Sequence, residues 1–96
     1  MYNLVRDKVE VSVIIPVYNH KNYIGQCIES VLDQRVSFTY DVWIGDDCST
    51  DKTQDELHKL EKKCPSNYHF IYRPKNIHPN NSFDLIRKSN SKYIIM

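Results

Sequence analysis

The chain has 96 residues, 41% hydrophobic and 26% charged, which bounds it to one domain of ordinary globular composition. Its 13 Lys and Arg balance 12 Asp and Glu to a formal charge of +1 with no basic block, which argues against nucleic acid as a partner. No apolar run reaches the roughly 20 residues a membrane helix needs, so no transmembrane segment is expected, and Met1 to Asp7 lack the apolar core of a signal peptide.

Residues 1–10 form a polar lead-in, and residues 11–96 form the domain proper. The first strand is predicted from about Val11 to Ile15, apolar at nearly every position as in a parallel strand covered on both faces. Pro16 cannot donate to a ladder, so it marks where the strand leaves the sheet. A helix follows over about Asn22 to Gln34, with Tyr23, Ile24, Cys27, Ile28, Val31 and Leu32 on one apolar stripe. Tyr40 to Gly45 reads as the second strand, ending at Asp46. Ser49 or Thr50 then caps a second helix, with Asp51 in its first turn. Thr53, Leu57, Leu60 and Cys64 share that helix's inner face, while Lys52–Glu56 and Asp55–Lys59 are opposite-charge neighbours outside. Pro65 stops it.

The third strand is short, about His69 to Tyr72. A loop over Lys75 to Pro79 leads to a short helix from Asn81 to Lys88 with Phe83 and Ile86 inward. Tyr93 to Met96 begins a fourth strand. The order β-α-β-α-β-α-β predicts an α/β fold, a Rossmann-like parallel sheet with right-handed crossovers.

Two strand ends carry the functional reading. Val11 to Asn19 and Val42 to Asp51 are each β-branched runs that stop at polar residues and pass into a helix. Open α/β sheets bind ligands at the carboxyl ends of their strands, where strand order reverses. Two polar ends, one bearing adjacent carboxylates, therefore point to a nucleotide site. Only 2 glycines are present, which excludes a Gly-rich phosphate loop of the dinucleotide or Walker type. Asp46 and Asp47 point to opposite sides if the chain is still extended there. The competing local explanation is that Asp, Ser and Thr are favoured in turns and caps ahead of helices.

The remaining polar residues are less informative. His20, His58, His69 and His78 lack metal-ligand spacing and read as surface or turn residues. Cys27 reads as core and Cys48 as a small turn residue, and the 3 cysteines form neither a C-x-x-C pair nor an even set. Reduced thiols of this kind fit a cytoplasmic protein. A response-regulator receiver also gathers acids at strand ends, but it places the pair after its first strand. Here the pair follows the second.

Pro16-Val17-Tyr18-Asn19, Tyr23-Ile24, Ser30-Val31-Leu32-Asp33-Gln34 and Asp46-Asp47-Cys48-Ser49-Thr50-Asp51 resemble, in this order and spacing, the start of a family 2 glycosyltransferase of the GT-A fold. Asn76 through Lys92-Tyr93-Ile94 is similar to the segment that leads to that family's Asp-x-Asp metal motif. The resemblance spans about Val11 to Met96 and covers the nucleotide-binding part. It implies a nucleotide-sugar donor, usually UDP-linked, and one-step inverting transfer to a glycan or cell-envelope acceptor. It implies nucleotide contacts at Pro16, Val17, Tyr18, Asn19, Asp46, Asp47 and Asn76, with Asp47 as the base-contacting carboxylate. Arg73-Pro74-Lys75 would sit near the diphosphate, although His78-Pro79-Asn80-Asn81 stands where small residues and an arginine are often found. Lys75 reads as a surface charge.

In the family a divalent cation, Mg²⁺ or Mn²⁺, is held by the Asp-x-Asp pair, and a later acid deprotonates the acceptor. Met96 falls short of both. The expectations are therefore no catalytic residue and no metal ligand in this chain, no turnover by the chain alone, and self-association through Tyr93, Ile94 and Ile95 at a bare sheet edge. The alternative is a non-catalytic nucleotide-binding or interaction module of the same fold.

Overall fold

The computed structural model describes residues 9–96. Its elements are β1 (Val9–Val17), α1 (Ile24–Leu32), β2 (Tyr40–Asp46), α2 (Thr53–Glu61), β3 (Tyr68–Tyr72), α3 (Asn80–Lys88) and β4 (Ser91–Ile95). Most of the expected lead-in, residues 1–8, lies outside the described residues, and Val9 and Glu10 already belong to β1. The 4 strands form one sheet in the order β3-β2-β1-β4, and every pairing is parallel. The chain steps outward from β1 to β2 to β3, then crosses back to the far side of β1. The strand order therefore reverses at β1, which makes its carboxyl end the place where such sheets hold ligands.

β1 runs on through Pro16, where the sequence predicted an exit. Pro16 pairs with Gly45 and Val17 with Asp46, and the Asp47 N–H continues this ladder to Val17 O at 2.8 Å. Backbone bonds to β2 thus come from odd-numbered β1 residues, so the missing N–H of Pro16 falls on the opposite side. The bonds of the β1–β2 ladder therefore do not need it. No ladder bond is lost.

One core lies between the sheet and the helices α1 and α2. Val17, Val42 and Ile44 meet Ile24 and Ile28 of α1, Leu57 and Leu60 of α2, and Tyr68. Each fully buried aliphatic side chain here stabilises the fold by about 1.5–3 kcal/mol relative to an exposed one. The helix α1 is shorter than predicted. Tyr23 and Cys27 are exposed rather than core, because they lie on the flank of the stripe, beside Ile15 and Pro16. On α2 Lys59 pairs with Glu56 at 3.4 Å and His58 lies 3.9 Å from Glu61, in place of the two predicted pairs, and Lys63 reaches across to Glu29 at 3.0 Å. These exposed pairs contribute little.

The helix α3 covers the other face, and its inward residues are Asn81 and Leu85, with Phe83 left 55% exposed and Ile86 half-buried. The cause is Gly45. A Cβ there would sit 2.6 Å from Asn81 Oδ1 and 2.9 Å from Leu85 Cδ1, so the glycine is what admits this close approach. Once Asn81 and Leu85 face the sheet at i and i+4, Phe83 is rotated to solvent. Gly45→Ala should destabilise the fold by about 1–3 kcal/mol through overpacking, measured by urea denaturation.

Candidate functional site

The turn after β2 is built around Asp46, whose carboxylate is fully buried. Its Oδ2 accepts from Ser49 N–H at 3.0 Å and from Gln54 Nε2 at 2.7 Å, and its Oδ1 accepts from Ser49 Oγ at 2.5 Å. Cys48 sits inside this turn with φ 63°, and its thiol points to Pro74 O. The start of α2 is later than predicted. Asp51 precedes the helix and accepts from both Thr53 N–H and Thr53 Oγ1, while its other oxygen accepts from Lys21 N–H at 3.2 Å.

Two asparagines tie neighbouring loops to this turn. Asn19 adopts φ 55°, a conformation asparagine tolerates better than most residues. Its N–H donates to Ser49 Oγ at 2.9 Å, and its Oδ1 accepts from Thr50 N–H at 2.8 Å, so the ends of β1 and β2 are stapled together. Asn76 does the same for the loop after β3: its Nδ2 donates to Asp47 O at 3.2 Å and its Oδ1 accepts from His78 N–H at 3.2 Å.

Asp47 points away from Asp46, as alternation requires. Its Oδ1 accepts from Ile77 N–H at 2.7 Å, and its Oδ2 has no donor among the described residues. The carboxylate lies at the floor of a cleft of about 190 Å³, lined by Pro16, Val17, Tyr18, His20, Asp47, His78, Asn81 and Ser82. Val17, Asp47 and Asn81 form the buried floor, and Tyr18, His20 and His78 are exposed at the mouth. A hydrogen-bond acceptor of full negative charge thus closes a small cleft beside an aromatic ring.

The amino end of α3 is fixed to this floor. Arg73 donates from Nη1 to Asp84 Oδ2 at 2.7 Å and from Nε to Asn81 Oδ1 at 3.0 Å, while Asn81 Nδ2 donates to Gly45 O at 2.9 Å. Partial burial pushes the Asp84 carboxyl up, but the Arg73 hydrogen bond and the charges of Arg73, Lys88 and Arg87 outweigh it and hold the group below its ordinary 3.8. Thr53 holds Asp51 low in the same way, with Lys21 N–H adding to it. A carboxyl depressed on folding stabilises the fold fully above its unfolded value near 3.8, and the contribution is lost as pH falls through the lower folded value. Thermal melts against pH should therefore show stability falling below that value, and less steeply in Asp84→Asn.

The structure brings Pro16, Val17, Tyr18 and Asp47 together in one cleft. Asn19, Asp46 and Asn76 lie behind it, where they hold the loops rather than line the cavity. His20, His78, Asn81 and Ser82 line it as well, although the sequence points to His20 and His78 only as surface or turn residues and assigns none of the four a nucleotide contact. His20 could have been found from its place directly after Asn19 in the strand-end turn. Asn81 carried no local signal, because its inward orientation depends on Gly45, 36 residues away.

No group of 3 or more His, Cys, Asp or Glu able to hold a metal gathers among the described residues. The nearest carboxylates are committed, Asp46 to Ser49 and Gln54 and one Asp47 oxygen to Ile77. The residues described here do not fit a metal site. No described helix is long and apolar enough to cross a membrane.

Comparison with known proteins agrees with this architecture. TarS of S. aureus, in a structure of its residues 1–349, superposes with a TM-score of 0.72 at 26% identity, over 88% of this chain and 26% of that one. The mannosyltransferase PcManGT from Pyrobaculum calidifontis, solved with GDP-Man and Mn²⁺, shares the fold at TM-score 0.67 and 18% identity, over 83% of this chain and 24% of its own. A Bacillus subtilis protein carrying the name teichuronic acid biosynthesis glycosyltransferase TuaG is 44% identical over 66 residues, 69% of this chain and 25% of its own length. The chain thus spans about a quarter of the B. subtilis and PcManGT chains and of the TarS 1–349 fragment, and 15% of the longer TarS chain. Residues 12–96 match the family described as Glycosyl transferase family 2. The fold is the parallel α/β architecture of a GT-A glycosyltransferase, and the chain belongs to glycosyl transferase family 2.

Proposed function

We propose that the cleft receives the base of a UDP-linked sugar donor and that this chain is the donor-binding part of a longer, inverting glycosyltransferase. The observation that carries the reading is Asp47, with Oδ1 fixed by Ile77 N–H and Oδ2 left with no donor at the floor of the cleft. Uracil presents one N–H between two carbonyls, and a single charged acceptor suits it. Guanine offers two adjacent donors and would be better met by a carboxylate with both oxygens at liberty. Pro16 and Tyr18 supply apolar and aromatic surface for the ring.

In the proposed reaction an acceptor hydroxyl attacks the anomeric carbon, the bond to the diphosphate breaks, and the diphosphate departs with the electron pair. The configuration at that carbon inverts. A divalent cation would offset charge on the departing diphosphate. The described residues gather no group of three or more side chains able to hold it, and the relatives are longer, with room for its ligands and for a base elsewhere. By this account the 96-residue chain binds donor without turning it over. The name of the B. subtilis relative supports a glycan acceptor, and the three unbridged thiols support a cytoplasmic setting. Self-association belongs to the same proposal, since Tyr93, Ile94, Ile95 and Met96 are exposed at β4. Sedimentation should show mass rising with concentration, and a monomer throughout would count against that part.

Calorimetric titration of the chain with UDP, with and without Mn²⁺, tests the main reading. Saturable UDP binding that Asp47→Asn weakens is expected. Absence of binding, or binding indifferent to that substitution, overturns it. The rival reading, an interaction module that has lost the site, predicts no binding under either condition.

A further inference from the structure

We infer that Asn81 is a specificity-determining residue, whose amide reads the C4 carbonyl of uracil and so separates uracil from cytosine. The inference rests on the proposed base site and deepens it. Three observations lead to Asn81. It is 3% exposed yet lines the cleft together with Asp47. Both ends of its amide are oriented by fixed partners: Oδ1 accepts from Arg73 Nε at 3.0 Å, and Nδ2 donates to Gly45 O at 2.9 Å. Its position is also one that Gly45 alone admits, because a Cβ on that residue would meet Asn81 Oδ1 at 2.6 Å.

Amide chemistry supplies the next step. Each Asn NH₂ carries two protons. One is held by Gly45 O, and the second has no acceptor among the described residues. Arg73 carries no acceptor, so it can bond only the oxygen of the Asn81 amide. That contact prevents the amide from turning over, and the NH₂ therefore stays a donor toward the floor of the cleft. Arg73 is itself held in place by Asp84 through Nη1 at 2.7 Å. It acts as a positioning residue.

The direction of the base follows from the depth of the cleft. The ribose and diphosphate must leave through the mouth, beside exposed Tyr18, His20 and His78. Asn81 sits at the closed end, bonded to Gly45, two residues before Asp47. C2 of the pyrimidine adjoins the glycosidic nitrogen, whereas C4 lies across the ring from the ribose side. With N3–H on Asp47 Oδ2, the C4 oxygen is the group that reaches the closed end. Uracil has an acceptor there, which the Asn81 proton satisfies. Cytosine has an NH₂ at C4 and no proton on N3, so both contacts become unfavourable.

The test is the ratio of UDP to CDP affinity, measured by calorimetry on the full chain and on Asn81→Ala, Arg73→Lys and Asp47→Asn, with circular dichroism confirming that each variant folds. Wild type should prefer UDP. Asn81→Ala should narrow the preference about 10-fold, since a site built around a hydrogen bond discriminates through it. Arg73→Lys, which keeps the charge opposite Asp84 but loses the fixed Nε donor, should narrow it in the same direction by a smaller factor. Equal loss of UDP and CDP affinity in Asn81→Ala would mark the residue as structural and overturn the inference, while Asp47-dependent UDP binding would leave the base site standing. An unchanged ratio would overturn it equally. If wild type binds no UDP, the base site falls and this inference falls with it.

Discussion

Asp47→Asn should lower UDP affinity by roughly 10- to 100-fold while leaving the fold intact, the range expected for losing a hydrogen bond to a charged acceptor. The substitution is nearly isosteric. The Asn oxygen can still accept from Ile77 N–H, which holds Asp47 Oδ1 at 2.7 Å, so the loop after β3 should keep its place. What changes is the second position. An NH₂ would replace the one carboxylate oxygen that has no protein donor, and it would face the N3–H of the ring donor to donor. Binding and stability should therefore separate, with titration showing the loss and thermal melting showing little.

Asp46 should behave in the opposite way. Asp46→Ala removes an acceptor that serves Ser49 N–H, Ser49 Oγ and Gln54 Nε2, all around a carboxylate with no exposed surface. Leaving buried donors without partners is costly, and the expected destabilisation is about 2–4 kcal/mol. That is a large share of the roughly 5–15 kcal/mol that keeps a domain folded. Urea unfolding followed by Trp43 fluorescence would measure it, because Trp43 stacks on His69 within the sheet, with ring centroids 4.1 Å apart. Any residual UDP affinity per folded molecule should fall less than in Asp47→Asn. Two adjacent carboxylates thus have different tasks, one building the turn and the other facing the cleft.

Much of this architecture was legible in the chain because the signals are local. The apolar runs of β1 and β2 and the stripe on α2 follow from side-chain periodicity alone, and Thr53, Leu57 and Leu60 are buried as predicted. On α3 the sequence favours Phe83 and Ile86 as the inward face, and the structure differs for a nonlocal reason. Phe83 and Ile86 are the more apolar choices, but the gap left by Gly45 and the Arg73 guanidinium select Asn81 and Leu85 instead. Proline's missing donor is a local property and suggests a strand exit at Pro16, whereas its harmlessness to the β1–β2 ladder depends on which side of β1 faces β2. Cys27 has the spacing of a core residue for a similar reason, since a helical stripe does not reveal which of its flanks is covered.

The site shows the same division. Asp46 and Asp47 could be recognised as a pair, and their opposite directions follow from strand alternation. The cleft's outer wall could not be read in the same way. His20 and His78 come from loops whose conformations depend on the staples made by Asn19 and Asn76.

The most direct measurement is a crystal structure of the chain with UDP bound. The account predicts uracil N3 within hydrogen-bond distance of the Asp47 carboxylate, with the ring against Pro16 and Tyr18 and the diphosphate leaving past the cleft mouth. A uracil ring seated elsewhere, with Asp47 making no contact to it, would contradict the account.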